Sequence, residues 1–526
     1  MSKRRSIVLN DEYDKESTLS NKEEKNEIEI EIESPKASIA GKAHHVDSPS
    51  KAHAASTEYS KHKNKYRYDK DGSLRSNFGD LNFKPRKSIF DDEIHYGSNF
   101  YGFYIAFWFC VSFFSLSVVV EYWINHGSLF NSVIAQLMIK DLFKIGLTDL
   151  AMYLSLYLPV LIQLKIKDGL ISWRPFGRLF QIIFELAFIF GTIAFASFMK
   201  YPWIGQIYLM LHGMVLLMKV HSYGFFNGYL WDITNELKLS KSIKDKILKK
   251  KKKKEEEDEK DYDKELITRL NKSIEFCKFE LDHQNFPNNL SLFNFFEYSM
   301  FPTLIYQTTY PRTEKIRKGY LIKKIAGIFG IILVLIAIAQ NNLYPVVMEC
   351  LHLQSTTDLS YRIKIYPLIL IKTIPSFLSV YLLVFYLIWE LILNSIAELS
   401  RFADRQFYAY WWNSLTWTEY ARDWNVPVHK FLLRHVYHSS ISAFQVNKQT
   451  AAFITFFLSS VIHELAMWVI FKKWRGYLLL LQMNQLSLVK ISQLKWFRNR
   501  TDFNICIFWF GIVFGPSLMC TMYLVF

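Results

Sequence analysis

Cysteine is scarce in this chain, and what there is does not cluster. Five cysteines, Cys110, Cys277, Cys350, Cys506 and Cys520, are scattered over 526 residues with no CxxC pair. That leaves no zinc, haem-attachment or disulfide framework to read. Charge is low as well, at 21% Asp, Glu, Lys and Arg, against about 25% in ordinary globular proteins. The basic start MSKRRS is followed by acidic residues instead of an apolar segment, so no cleavable secretory leader is expected. No internal repeat is visible, which argues against a transporter built from inverted repeats. The excess is in apolar and aromatic side chains, 51% and 17%, yet the mean hydropathy is only +0.06. The apolar residues must therefore lie in blocks separated by very polar stretches. This pattern predicts a membrane protein.

Residues 1–95 are rich in Lys, Glu, Ser and Asn and lack apolar runs. Such a segment buries too little surface to offset its chain entropy and is expected to be a disordered cytosolic tail. The remainder, 96–526, reads as one membrane domain. A spanning helix needs about 20 mostly apolar residues. Candidates run near 103–123, 147–165, 179–199, 203–222, 322–340, 365–395, 450–471, 476–491 and 503–525. The stretch 342–353 is too short to span alone, and 365–395 is either one tilted helix or two pieces broken at Pro375. An all-α polytopic protein with about nine transmembrane helices is expected. Between the fourth and fifth spans a polar insertion, 238–290, centres on LKKKKKKEEEDEK. It reads as a solvated cytosolic segment, with attraction of its lysines to anionic lipid as the alternative. The positive-inside rule places it on the same face as the tail.

Several polar groups sit where burial is costly. His463 lies deep inside the apolar run TAAFITFFLSSVIHELAMWVIF with Glu464 beside it. An ionisable group at a helix centre costs roughly 2.5–3.5 kcal/mol on insertion scales, so it normally faces a cavity or a partner. An imidazole suits a general base, but a core histidine bonded to a neighbouring helix fits equally well. HELAM lacks the second histidine of HExxH, since position 467 is Met, so no metal site is expected. The segment 401–440, RFADRQFYAYWWNSLTWTEYARDWNVPVHKFLLRHVYHSS, is dense in Trp, Tyr, His and Arg. Its rings suit the headgroup level. The stripe His429, Lys430, Arg434, His435 and His438 suits lipid phosphate or the phosphates of an anionic substrate such as coenzyme A. Asn413 is an isolated amide able both to donate and to accept. MFPTLIYQTTYPRT (300–313) and LMKVHSYGFFNGYLW (217–231), which carries Lys219, His221 and Asn227, read first as interfacial anchors and second as binding segments.

Together these four segments resemble the acyl-CoA:sterol O-acyltransferases of the membrane-bound O-acyltransferase superfamily, the fungal members above all. FYAYWWN (407–413) is similar to that family's FYxDWWN signature, and His463 in SSVIHEL matches its intramembrane histidine. The resemblance covers roughly 95–526. It implies a helical fold with an internal tunnel, His463 as catalytic base and Asn413 as its partner. It also implies that Trp412 and Ser459 line the site and that the signature residues Phe407, Tyr408, Tyr410, Trp411 and Trp412 help bind acyl-CoA; His429, Lys430 and His435 of the basic stripe are expected to join that set. One position departs from the pattern: Tyr410 stands where the family has Asp. The resemblance further implies acyl-CoA as co-substrate with no bound cofactor, a sterol acceptor, membrane lipids but no nucleic acid as partners, homo-oligomers, and a multi-pass protein of the endoplasmic reticulum. An acyl-CoA:diacylglycerol acyltransferase is the nearest alternative. A transporter or lipid scaffold using His463 and Glu464 as a proton pair is the other.

Overall fold

The computed structural model describes residues 74, 83–91, 101–128, 131–253, 261–492, 494, 496 and 500–526, all within the compact unit Arg67–Phe526. The ten long helices are α1 Tyr101–His126, α2 Leu142–Lys167 and α3 Trp173–Phe198, α4 Trp203–Lys253, α5 Asp261–His283, α6 Lys318–Thr356 and α7 Leu359–Ser400, α8 Lys448–Phe471, α9 Tyr477–Ser492 and α10 Thr501–Val525. Extended chain among the described residues forms only isolated bridges, such as Arg86 with Asp404. The all-α expectation holds.

Seven of the described helices are long and apolar enough to cross a membrane, so the expected count of about nine is not reached this way. The expected first span falls on the 26-residue α1. The expected span 476–491 forms the 16-residue α9; at 1.5 Å per residue this reaches only about 24 Å, short of a bilayer core of about 30 Å. The short stretch 342–353 is not separate. It continues α6 through a π-helical turn, Ala339–Leu343. Pro375 does not divide α7 either; Pro367 and Pro375 both lie inside it. The irregularity falls further on, at the π turn Tyr386–Ile392, where one extra residue per turn re-aims the side chains. Large apolar groups such as Phe143, Phe198 and Phe113 stand exposed on the helix surfaces, as expected where lipid rather than water is the solvent.

Two expectations need correction. Part of the supposed disordered tail is built into the fold. Ser88 is buried, and Phe83, Ile89 and Phe90 pack on an aromatic core with Phe402, Tyr408 and Trp412. The KPRKSIF sequence has too few apolar residues to fold alone, but it finds them in the domain it touches. The rest of 1–95, Leu74 apart, lies outside the described residues, as does 254–260 of the insertion. On either side of that gap the insertion is helical: α4 runs on to Lys253 and packs along α5. The second correction concerns 300–313 and 217–231, which are interior rather than interfacial. Phe301, Ile305, Tyr306, Val220, Tyr223 and Phe226 are all at most 2% exposed. Irregular chain can be buried because side chains satisfy its backbone. Ser222 accepts from the Tyr306 N–H at 2.8 Å, Arg434 donates to the Tyr306 carbonyl at 3.3 Å, and Lys219 donates to the Phe301 carbonyl at 2.5 Å.

Candidate active site

Asn447 starts α8 by accepting from the Thr450 N–H at 2.8 Å, and the left-handed Lys472 (φ 55°) ends it. Sixteen residues in, His463 Nδ1 lies 2.7 Å from the Ser459 carbonyl oxygen. A carbonyl can only accept, so Nδ1 carries the proton and Nε2 keeps its lone pair. The ring is exposed on the surface of α8. Glu464 points elsewhere. It is fully buried, accepts from the Gly476 and Leu479 N–H groups at 2.7 and 3.1 Å, and accepts from the Tyr523 hydroxyl at 2.7 Å. It caps the start of α9 and ties α8 to α10. The adjacent histidine and glutamate therefore do not act as one pair.

The signature loop begins where Arg401 (φ 59°) turns the chain out of α7. Phe407, Tyr408 and Trp411 are buried. Trp411 packs against Phe385, Tyr381 and Trp509 at centroid distances of 5.1, 6.2 and 6.2 Å, and Trp509 Nε1 donates to the Trp412 carbonyl at 3.2 Å. Tyr408 donates to Glu390 at 2.7 Å. Tyr410 is exposed, its ring set edgewise 5.7 Å from Trp412. Asn413 closes the short turn Trp411–Asn413 with its N–H on the Tyr410 carbonyl, and it is exposed.

The basic stripe divides. Asn425 caps Val426–Phe431, which carries His429 and Lys430. Burial lowers the pKa of both; Lys430 lies 3.9 Å from Asp404 and over the Phe83 ring. His438 is exposed. His435 turns inward, its Nε2 2.9 Å from Ser222 Oγ and its ring 5.1 Å from that of His221. His221 Nδ1 is in turn 2.9 Å from Glu185. Burial above all, then His221 and Arg434, hold the His435 pKa well below its ordinary value. It is therefore neutral near pH 7 and is not a phosphate-binding charge.

No hydrogen bond joins His463 to Asn413 or to His435 among the described residues. What the fold does is bring the elements of His463 and His435 level with each other along α4. Lys472 bonds Gln206, and Val469 packs with Met210 in a cluster that also includes Leu465 and Leu217. α8 and α4 therefore run antiparallel. About one turn further along each helix, residues 459–463 come level with 219–222. The π turn Leu432–Tyr437, which bears His435, packs on the same helix α8. Glu185 and Ser222 belong to this polar interior, Glu390 is buried beside the signature loop, and all three were missed in the sequence. Glu185 and Glu390, lone carboxylates in apolar spans, carried the same burial signal as His463.

An imidazole with a free Nε2 inside an apolar span, in a chain whose aromatic loop ends in an exposed amide, suits acyl transfer. The sequence profile of MBOAT, the membrane-bound O-acyltransferase family, matches residues 100–525. The chain belongs to that family. Among similar proteins, Sterol O-acyltransferase 2 of Candida albicans is 43% identical over 499 residues, 88% of this chain and 81% of that one. Sterol O-acyltransferase 2 of Saccharomyces cerevisiae is 47% identical over 440 residues, 82% of this chain and 67% of that one. Diacylglycerol O-acyltransferase 1 of Dictyostelium discoideum is 34% identical over 252 residues, 47% and 39% of the two chains. This membrane-bound O-acyltransferase is thus a multi-pass membrane protein.

Proposed function

We propose that the protein transfers a long-chain acyl group from acyl-CoA to the 3-hydroxyl of a sterol, giving a steryl ester and free CoA. The sterol O-acyltransferase names of relatives that match most of the chain support this substrate pair. The observation that carries the chemistry is the Nδ1–H bond of His463 to Ser459, because it leaves Nε2 as the base. A hydroxyl is a poor nucleophile until its proton is taken. Nε2 accepts that proton, the sterol oxygen attacks the thioester carbonyl, and the C–S bond breaks. The imidazolium then returns the proton to the departing thiolate. Asn413 steadies the developing oxyanion or holds the thioester; one such donor is worth about 3–4 kcal/mol elsewhere. Phe407, Tyr408, Tyr410, Trp411, Trp412, His429, Lys430, His435 and Ser459 form the walls of the acyl-CoA path, with the inward, neutral His435 acting as a hydrogen-bonding rather than an electrostatic contact. The path is a tunnel from the cytosolic face, and the setting is the endoplasmic reticulum membrane, with the chain in homo-oligomers.

Glu464 is wholly engaged in capping α9, which leaves a His463–Glu464 proton pair for transport without its carboxylate. The decisive experiment supplies labelled oleoyl-CoA to membranes of an acyltransferase-null host expressing the chain and separates steryl ester from triacylglycerol. Steryl ester is expected, and His463→Ala is expected to abolish it at normal protein level. Triacylglycerol alone would reassign the acceptor, and surviving activity in His463→Ala would remove the base.

A further inference from the structure

The segment 83–91, ahead of the first span, is held at four points on and around the signature loop. Its backbone pairs with the approach to the loop: Arg86 N–H donates to the Ala403 carbonyl at 3.0 Å, and Arg405 N–H donates to the Arg86 carbonyl at 3.1 Å. Ser88, 1% exposed, donates to Glu390 Oε2 at 2.5 Å. That same oxygen accepts from the Tyr408 hydroxyl of the loop at 2.7 Å. Phe90 lies 6.3 Å from both the Tyr408 and Trp412 rings and 5.7 Å from Tyr386. Asp91 accepts from Tyr320 of α6 at 2.6 Å, which fixes the far end.

Glu390 is the hub. It sits on the π turn of α7, is fully buried, and pairs with Lys324 through its other oxygen. A buried carboxylate must be fully hydrogen-bonded, because an unmatched lone pair in a low-dielectric site is costly. Ser88 and Tyr408 make the two short bonds to one oxygen, which Asn394 Nδ2 also reaches at 3.3 Å, so losing either short bond alters the seat of the other. Hydrogen bonds to a charged acceptor are also the stronger kind and hold geometry well.

We infer that residues 83–91 are a positioning strap for the acyl-CoA-binding loop, with Ser88 setting Tyr408 through Glu390 and Phe90 backing Trp412. The inference rests on the reading of 407–413 as an acyl-CoA-binding loop. It predicts a selective defect, in the affinity for acyl-CoA and not for sterol.

The test uses the full chain and its variants in membranes of the acyltransferase-null host, with oleoyl-CoA and ergosterol as probes. Δ1–82, which keeps the strap, should leave both KM values within about twofold. Ser88→Ala removes one charge-assisted bond and should raise the KM for oleoyl-CoA about three- to tenfold. The KM for ergosterol and the protein level should stay as they were. Ser88→Asp sets a second carboxylate against Glu390 and should raise the oleoyl-CoA KM further. An unchanged oleoyl-CoA KM in Ser88→Ala, or a parallel rise in both KM values, overturns the strap. Trp412→Ala separates the two levels: if it moves the oleoyl-CoA KM while Ser88→Ala does not, only the strap fails. If Trp412→Ala leaves that KM unmoved, the loop assignment itself is wrong.

Discussion

A carboxylate next to the reactive imidazole invites a catalytic reading, yet every bond Glu464 makes is structural: two backbone N–H groups at the start of α9 and the Tyr523 hydroxyl of α10. Glu464→Gln keeps the size but turns one acceptor into a donor that faces donors. It is expected to cost about 1–3 kcal/mol, seen as a lower thermal midpoint in detergent; an unchanged midpoint would mean the cap carries no weight. His435 gives a pH-dependent companion. Its folded pKa lies below the ordinary 6.5 because of burial, His221 and Arg434, so the unfolded chain binds the proton first as pH falls. Stability is therefore full above about pH 6.5 and declines below it, toward the folded-state pKa. His435→Gln should flatten that decline in thermal melts run from pH 7.5 to 5.5. His463 was legible because a lone polar group in a long apolar run has no cheap explanation. The roles of Glu464 and His435 were not, because their partners, Tyr523 and Ser222, are 59 and 213 residues away and only tertiary packing supplies them.

Helices were legible as apolar blocks, and their breaks were not. Hydropathy counts residues without sensing whether a π turn carries the chain onward, so 342–353 looked like an orphan where it is the end of α6. Pro375 looked like a break because proline removes a donor, but the damage was absorbed within α7. The insertion drew attention for its charge, which conceals that Trp203–Lys253 is one continuous helix. Nor did the GFFNG stretch advertise how closely α3 and α4 approach. A Cβ on Gly228 would stand 2.1 Å from the Trp173 indole, and one on Gly224 would stand 2.6 Å from Gln181. Trp173 is itself buried and cannot swing away freely. Gly228→Ala should therefore destabilise by about 1–3 kcal/mol through overpacking. Adding Trp173→Phe should recover part of the loss, since the two changes share one space. Additive losses in thermal melts of the double variant would show that the contact is not the cause.

Across the whole molecule, sidedness follows from contacts. Residues 83–91 bond the chain at 403–408, and Lys430 covers Phe83. The strap, the signature loop and the stripe after it must therefore share one membrane face. Leu74, a few residues before the strap, packs against Ile233 of α4 and against Phe276 and Cys277 of α5. This brings the polar end of α4 and its partner helix to that face as well. Helix α4 reaches that face with the lysine run 249–253, and the positive-inside rule makes it the cytosolic face. Single cysteines at exposed Lys84, Lys241 and Ala421, in a chain whose exposed Cys110 and Cys506 are replaced, should all react with a membrane-impermeant maleimide added outside sealed, cytosol-side-out vesicles. Protection of any one until the membrane is permeabilised would place its segment on the opposite side. Protection of Ala421→Cys alone would be the most damaging outcome, because it would detach the aromatic loop from the face that carries the strap and the polar end of α4.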